Sequence, residues 1–364
     1  MRVKPSQLVP GNVLLKEVLG KSNKPIITRK TVLDDIHIEF LERFLIESVD
    51  VSAHLSNGDT YEPKKVDAKK EQLKKIKAAE RKQTFEEQFY QVVKGYKQLF
   101  STWKSGIPID MANLRKLIIP LLERTDDIDK AVYTLHQYTT KNDYIYCHSI
   151  AVSILSSYLG RKLGYEKGEW LQIGIAGLLS DVGMAKINSE IVYKTGPLAS
   201  YELNEVRKHP TYSYRLIENI PTITQAVKLA VLQHHERIDG SGYPLGITMK
   251  KIHPYARIIG ISDTYHAMTS ERVYKKGLSP FKVIEEMKKV QFTKFDSQIV
   301  SKFISSLTNF SIGTKVKLSN GKTGEIVFIE PSELTRPIVR MDGSGEIIAL
   351  QNEQDVYINE LILK

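Results

Sequence analysis

Between residues 85 and 308 apolar side chains recur at three- and four-residue spacing almost without interruption. That period admits α-helices and little else. Prolines 108, 120, 197, 210, 221, 244, 254 and 280 punctuate the run. Proline breaks a helix interior but suits a first turn, so these positions mark expected helix ends. Amphipathic helices are expected over segments containing Ser149–Leu159 and Trp170–Leu179, and an apolar one over Ile223–Leu232. Such a chain is mainly α, with a helical bundle at its centre.

The flanks differ from the bundle. Residues 1–58 read as a small α+β unit. Short apolar runs (Val13–Leu15, Pro25–Thr28) are broken by turn signals at Pro10-Gly11 and Lys21-Ser22-Asn23, and a helix begins at Asp34 with Ile36, Phe40, Leu41, Phe44 and Leu45 on one face. Ser48–Ala53 alternates like a strand, and Ser56–Asp59 closes the unit with a turn. The last 54 residues carry short β-rich runs at Thr314–Leu318, Glu325–Ile329, Ile338–Met341, Glu346–Leu350 and Val356–Ile358. They predict a small antiparallel β-barrel or sandwich. The expected division is 1–58, a basic linker with leading helices over 59–115, the bundle over 116–310, and the β unit over 311–364.

Composition removes several classes. A chain of 364 residues, 41% hydrophobic and 26% charged, is neither disordered nor fibrous. Its single cysteine, Cys147, cannot form an internal disulfide and reads as a small buried hydrophobe. No apolar run reaches the length of a membrane span, and the N-terminus lacks the layout of a signal peptide, so a cytoplasmic protein is expected. The net charge of +10 owes much to residues 64–82, where nine Lys and Arg stand against three acidic residues. A basic stripe can grip nucleic acid, but the aromatic residues that stack on bases begin only at Phe85. The stretch therefore reads as a solvated helix or linker, and nucleic acid is not an expected partner.

Seven of the nine histidines fall between residues 131 and 275. His234 and His235 are adjacent at the end of an apolar helix, where two imidazoles are hard to bury without partners. A divalent metal is one such partner. They open the run HHERIDGSGYP, whose glycines suit a sharp turn or close backbone approach. Asp181 ends the apolar helix GIAGLLS, and a buried carboxylate there needs a strong partner. His209 stands at an expected helix terminus, Asp263 follows the apolar Ile258–Ile261, and His148 lies on the inward side of a helix. Four histidines and two aspartates at such positions fit a metal-assisted hydrolase built in a helix bundle. No Rossmann loop, Walker A loop, GxSxG or HExxH pattern is present.

The ordered motifs YIYCHS, GLLSDVG, KHP, HHERIDGSGYP and SDTYHAMTSERVYK resemble those of the HD-GYP subgroup of HD-domain phosphohydrolases, over about residues 130–290. The terminal units resemble accessory modules of such proteins. The resemblance implies a bacterial signalling enzyme, a phosphodiesterase converting cyclic di-GMP to linear pGpG or GMP, with protein partners or a homodimer besides the nucleotide. It implies two divalent ions, iron or manganese before zinc. Asp181 would bridge them, His148 and Asp263 would complete the first site, and His209, His234 and His235 the second. Tyr243, Arg272 and Lys275 match positions that contact substrate phosphate.

Four departures accompany the likeness. The family's His-Asp pair is here Ser180-Asp181, which removes an imidazole from the first site and leaves a hydroxyl or a water in its place. Met184 stands where many members carry Lys, and His266 where the usual residue is Asp. Tyr144 replaces a carboxylate that supports a third ion in some members, so two ions at most are expected. The first site should be the weaker one. The competing reading is a degenerate HD-GYP protein that binds the nucleotide or a partner without turnover.

Overall fold

The computed structural model of the chain describes residues 1–19, 25–43, 46, 48–63, 83–272, 276–307, 311–330, 333–353 and 355–362. They divide into two units, residues 1–83 and 84–364. The basic stretch 64–82, the turn at Lys21–Asn23, and Phe44 and Leu45 of the expected first helix lie outside the described residues.

In the first unit β1 (Arg2–Val3) pairs antiparallel with β4 (Val49–Asp50), and β2 (Val18–Leu19) with β3 (Pro25–Ile27). Helix α1 (Asp35–Arg43) buries Leu41 in a small core with Leu14, Leu33 and Val51. The strand expected over 48–53 is shorter, since only Val49 and Asp50 pair regularly and Val51 adds one isolated bridge to Leu14.

The second unit opens with α2 (Phe85–Lys104), started by a reciprocal cap in which Thr84 Oγ1 accepts the Glu87 N–H and Glu87 accepts the Thr84 N–H. There follow α3 (Met111–Leu122), α4 (Thr125–Ala131), α5 (Tyr144–Lys162) and α6 (Lys167–Leu179). Next come the short α7 (Ser189–Val192) and α8 (Ser200–Val206), then α9 (His209–Ile217) and α10 (Gln225–Gln233). The unit's last helices are α11 (Pro254–Thr269), α12 (Pro280–Val290) and α13 (Ser297–Leu307). The boundary expected at 115/116 falls inside α3, and Phe89, Tyr96, Trp103, Leu114 and Ile118 share one core with α5. The bundle therefore starts at residue 84, because its leading helices bury their apolar faces in it.

The amphipathy expected of the segment Ser149–Leu159 is not what the structure uses. Every residue of α5 from Tyr146 to Gly160 is buried. Two of its serines are paired inside the bundle: Ser149 Oγ donates to the Ile145 carbonyl of its own helix at 3.0 Å, and Ser153 Oγ to the Gly174 carbonyl of α6 at 2.7 Å. Buried hydroxyls are tolerated when paired in this way. The segment Trp170–Leu179 is likewise buried almost throughout. Small side chains on both helices let them pack closely, and this pair forms the centre of the bundle.

At the C-terminus β5 (Lys315–Leu318), β6 (Thr323–Phe328), β7 (Ile338–Met341), β8 (Ile347–Ala349) and β9 (Ile358–Ile362) form one antiparallel sheet in the order β8-β7-β6-β5-β9. No pairing joins β8 to β9 among the described residues, so the sheet is open rather than a closed barrel or a sandwich. Its apolar face is covered by a helix: Phe281 of α12 packs with Val316, Ile326 and Val339. Arg336 ties the two together through a two-pronged bond to Glu285 at 2.7 and 2.9 Å.

Candidate metal centre

Helix ends and helix interiors bring six side chains to one place. Asp181 follows α6, His209 opens α9, and His234 and His235 close α10. His148 and Asp263 project from the interiors of α5 and α11. Gly183 permits the approach of the Asp181 turn to α9. A Cβ there would lie 2.2 Å from the His209 carbonyl oxygen and 2.5 Å from the Ser213 nitrogen. The Gly183 N–H donates to Ser213 Oγ at 2.8 Å, and that hydroxyl donates to the Ser180 carbonyl at 2.6 Å.

Asp181 sits between two sets of rings. Its Oδ1 is 3.2 Å from His209 Nε2 and 3.7 Å from His234 Nε2, and its Oδ2 is 3.5 Å from His148 Nε2. Asp263 Oδ1 lies 2.9 Å from His148 Nε2, and its Oδ2 lies 3.8 Å from His235 Nδ1. One donor atom each from Asp181, His209, His234 and His235 falls within 4.8 Å of all the others. His148, Asp181 and Asp263 form a second group by the same measure, and Asp181 belongs to both.

The donor chemistry fits a cation. His209 Nδ1 donates to the Val206 carbonyl at 2.7 Å and His234 Nδ1 to the Val231 carbonyl at 2.8 Å. In neutral rings so held, each Nε2 presents a lone pair, and the two Nε2 atoms are 3.2 Å apart with Asp181 beside them. Lone pairs and a carboxylate turned on one another are stabilised by a positive ion among them. Burial would raise the Asp181 carboxyl, but when protons on His209 and His234 Nε2 take the place of an ion, their hydrogen bonds and charge outweigh it and hold it well below the usual range. Asp263 is also lowered: burial opposes the shift, and the His148 hydrogen bond with the His235 and His148 charges overcomes it. Burial, then the neighbouring His234, pushes His235 far below an ordinary imidazole.

Ser180 takes no part in either group. Its buried hydroxyl donates to the Ala176 carbonyl at 2.8 Å, one turn back in α6. The hydroxyl therefore does not stand in for the missing imidazole. A side chain this short is captured by the i−4 carbonyl of its own helix.

The match to the HD domain model covers residues 111–299. The chain belongs to the HD-domain family. It is 31% identical over 243 residues to a cyclic di-GMP phosphodiesterase of Pseudomonas aeruginosa, spanning 67% of this chain and 58% of that protein. It is 29% identical over 213 residues to the cyclic di-GMP phosphodiesterase PdeB of Borreliella burgdorferi, spanning 58% and 56%. A 3'3'-cGAMP-specific phosphodiesterase of Vibrio cholerae is 31% identical over 160 residues, spanning 44% and 37%. The chain thus spans a little more than half the length of the first two relatives.

Within the HD domain two of the three expected phosphate contacts, Tyr243 and Arg272, lie among the described residues. Arg272 lines a cavity of about 420 Å³ beside His148, together with Lys141, Tyr144, Tyr146, Met184 and Tyr193. Tyr243 is not among that cavity's lining; it stacks on His235 with ring centroids 4.7 Å apart. Lys275 lies outside the described residues. The loop carrying Tyr243 is held by Glu236, whose buried carboxylate accepts the N–H groups of Leu245 at 2.6 Å and Ile247 at 3.1 Å. Gly242 passes directly over this segment, where a Cβ would lie 2.4 Å from Glu236 Cα. The glycine and glutamate of HHERIDGSGYP thereby serve one turn. Sequence reasoning did not assign Glu236 a role, although its place beside two histidines was a signal. No helix among the described residues is long and apolar enough to cross a membrane.

Proposed function

We propose that this HD-domain chain is a metal-dependent phosphodiesterase that hydrolyses cyclic di-GMP to linear pGpG or onward to GMP. The observation carrying the reading is the position of Asp181 in both donor groups. His148, Asp181 and Asp263 would hold one divalent ion and Asp181, His209, His234 and His235 the other, with iron or manganese suited to this nitrogen and oxygen mixture before zinc. Such ions, when bound, activate water and neutralise charge on a phosphodiester.

The chain's own groups have definable tasks. Asp181 and Asp263, both lowered, remain carboxylates at neutral pH and present only lone pairs. The Val206 and Val231 carbonyls orient His209 and His234. Burial, followed by the Asp263 and Asp181 charges, raises the Tyr243 phenol, so it stays protonated and can donate to a phosphate oxygen. Arg272 offers a planar fork to phosphate, and Lys275 a point charge. The cavity beside His148, with tyrosines, Met184 and the cations Lys141, Lys194 and Arg272, suits a purine joined to phosphate. The names of the Pseudomonas and Borreliella relatives support cyclic di-GMP as the substrate.

A second reading, nucleotide binding without turnover, draws on Ser180, whose hydroxyl is spent on its own helix and leaves the His148 group with three donors. Metal analysis of protein purified without oxygen, combined with chromatographic detection of pGpG and GMP, separates the two. The proposal expects the group of Asp181, His209, His234 and His235 to be filled, the His148 group to be filled in part, and product to form from cyclic di-GMP. Tight nucleotide binding with full metal and no product would establish the second reading instead.

A further inference from the structure

Two tyrosines stand against the candidate centre, and each carries a guanidinium over its ring. Tyr144 stacks on His148 with centroids 5.2 Å apart and planes at 21°, and Arg272 Cζ lies 4.6 Å from the Tyr144 centroid. Tyr243 stacks on His235 at 4.7 Å and 27°, and Arg207 Cζ lies 5.6 Å from the Tyr243 centroid. One stack ends on the group of His148, Asp181 and Asp263. The other ends on the group of Asp181, His209, His234 and His235. The centre is thus bracketed by two arginines, only one of which the motifs announced.

The neighbours of Arg207 leave it available to an anion. Glu205, the nearest acid in sequence, is taken by Lys208 Nζ at 2.6 Å and by the Tyr212 hydroxyl at 3.2 Å. Arg207 has no carboxylate at ion-pair distance among the described residues, and its side chain is exposed. A cation is favoured at the C-terminal end of α8 by the helix dipole alone. That preference does not call for a guanidinium lying over Tyr243. Cation–π contact holds the group while leaving its N–H edge open, the arrangement that phosphate recognition uses.

We infer that Arg207 holds the second, non-reacting phosphate of a cyclic dinucleotide. The inference rests on the phosphodiesterase reading above. A cyclic dinucleotide carries two phosphodiesters in one closed ring, so seating one at Asp181 keeps the other close by covalent geometry. That second anion gives up water when the ring is seated, and a cation beside it offsets the loss. A diester with a single phosphate makes no such demand. Arg207 is therefore a specificity-determining residue, and its effect falls on binding of the ring.

The test compares Arg207→Ala and Arg207→Lys with the metal-loaded full chain, using cyclic di-GMP and bis(p-nitrophenyl) phosphate as substrates. Losing a charge-assisted pair should raise KM, or Kd, for cyclic di-GMP about tenfold or more, with a much smaller change in kcat. The preference for cyclic di-GMP over the single diester, as the ratio of kcat/KM values, should fall by a similar factor. Arg207→Lys should recover part of it, since it keeps the charge and loses the fork. An unchanged KM for cyclic di-GMP overturns the inference, as does an equal loss on both substrates, which marks a structural role. If the unaltered protein cleaves the single diester yet neither binds nor cleaves cyclic di-GMP, the phosphodiesterase reading fails at its substrate and this inference falls with it.

Discussion

His148 and His266 face each other Nδ1 to Nδ1 at 2.9 Å, both buried. Two such nitrogens cannot both carry a proton at that distance. When His148 Nε2 gives its lone pair to a cation, its Nδ1 bears the hydrogen and donates to His266. His266 then carries its own hydrogen on Nε2, which faces Thr139 Oγ1 at 3.3 Å and Ser270 Oγ at 3.2 Å. Burial, then the charge of His148, keeps His266 far below the usual imidazole range, in the neutral form this chain of bonds needs.

His266→Ala should therefore lower the affinity of the His148 group for metal by about 10–100-fold, the usual effect of removing a group that orients a ligand histidine. His266→Asp should keep or raise that affinity, because a carboxylate accepts the same proton and makes the imidazole more basic. Competition titration with a chelating dye reads both. Equal affinities in all three proteins would show that His266 is only a packing residue.

Ser180→His tests the site that departs from the motif. The serine hydroxyl is held by Ala176 and adds nothing to the donor groups. An imidazole there is long enough to leave its own helix, and it should raise metal content toward two per chain and increase turnover. Asp181→Ala should remove both ions, because both groups include it. Metal content by mass spectrometry decides this, and a native protein already holding two ions tightly, unchanged by Ser180→His, would refute the weaker first site.

Glu236→Ala should destabilise the fold by about 2–4 kcal/mol, since it leaves the Leu245 and Ile247 N–H groups without their acceptor. Glu236→Gln keeps one carbonyl acceptor and should lose roughly half as much. Urea unfolding measures both. A loss below about 0.5 kcal/mol for the alanine variant would mean that water replaces the carboxylate without cost.

Burial lowers His136 from 6.5 to about 4, with a partial offset from its bond to the Tyr133 main chain. A depressed imidazole means that the folded protein binds fewer protons than the unfolded chain between those values. Its contribution is complete above pH 6.5 and is lost as pH falls toward 4. His235 and His266 act with the same sign. In His136→Gln the drop in stability between pH 7 and 4.5 should shrink by about 2 kcal/mol. An identical pH slope in denaturant titrations would assign the whole loss to the other histidines.

Some features were legible in the chain because they depend on neighbours in sequence. The helical period follows from side-chain spacing. His234 and His235 share a helix end by adjacency, and the glycine before Tyr243 announces a close passage that the Gly242 contact with Glu236 realises. Asp181 and the five side chains now grouped around it could each be singled out as polar residues in apolar surroundings.

Other features were decided by what came alongside. Ser153 of α5 looks like part of a solvent face and is buried because α6 packs against it. The C-terminal strands carry the pattern of a barrel or sandwich, yet Phe281 of α12 covers their apolar face and the sheet stays open. Ser180 sits beside Asp181 in the chain but turns toward Ala176. Arg207 meets Tyr243, and His148 meets His266, only because distant segments are brought together. Local spacing and residue chemistry determined which helices form and which side chains need a partner. Which partner each one has was left to tertiary packing, since burial and hydrogen bonding depend on the neighbours that close over a residue.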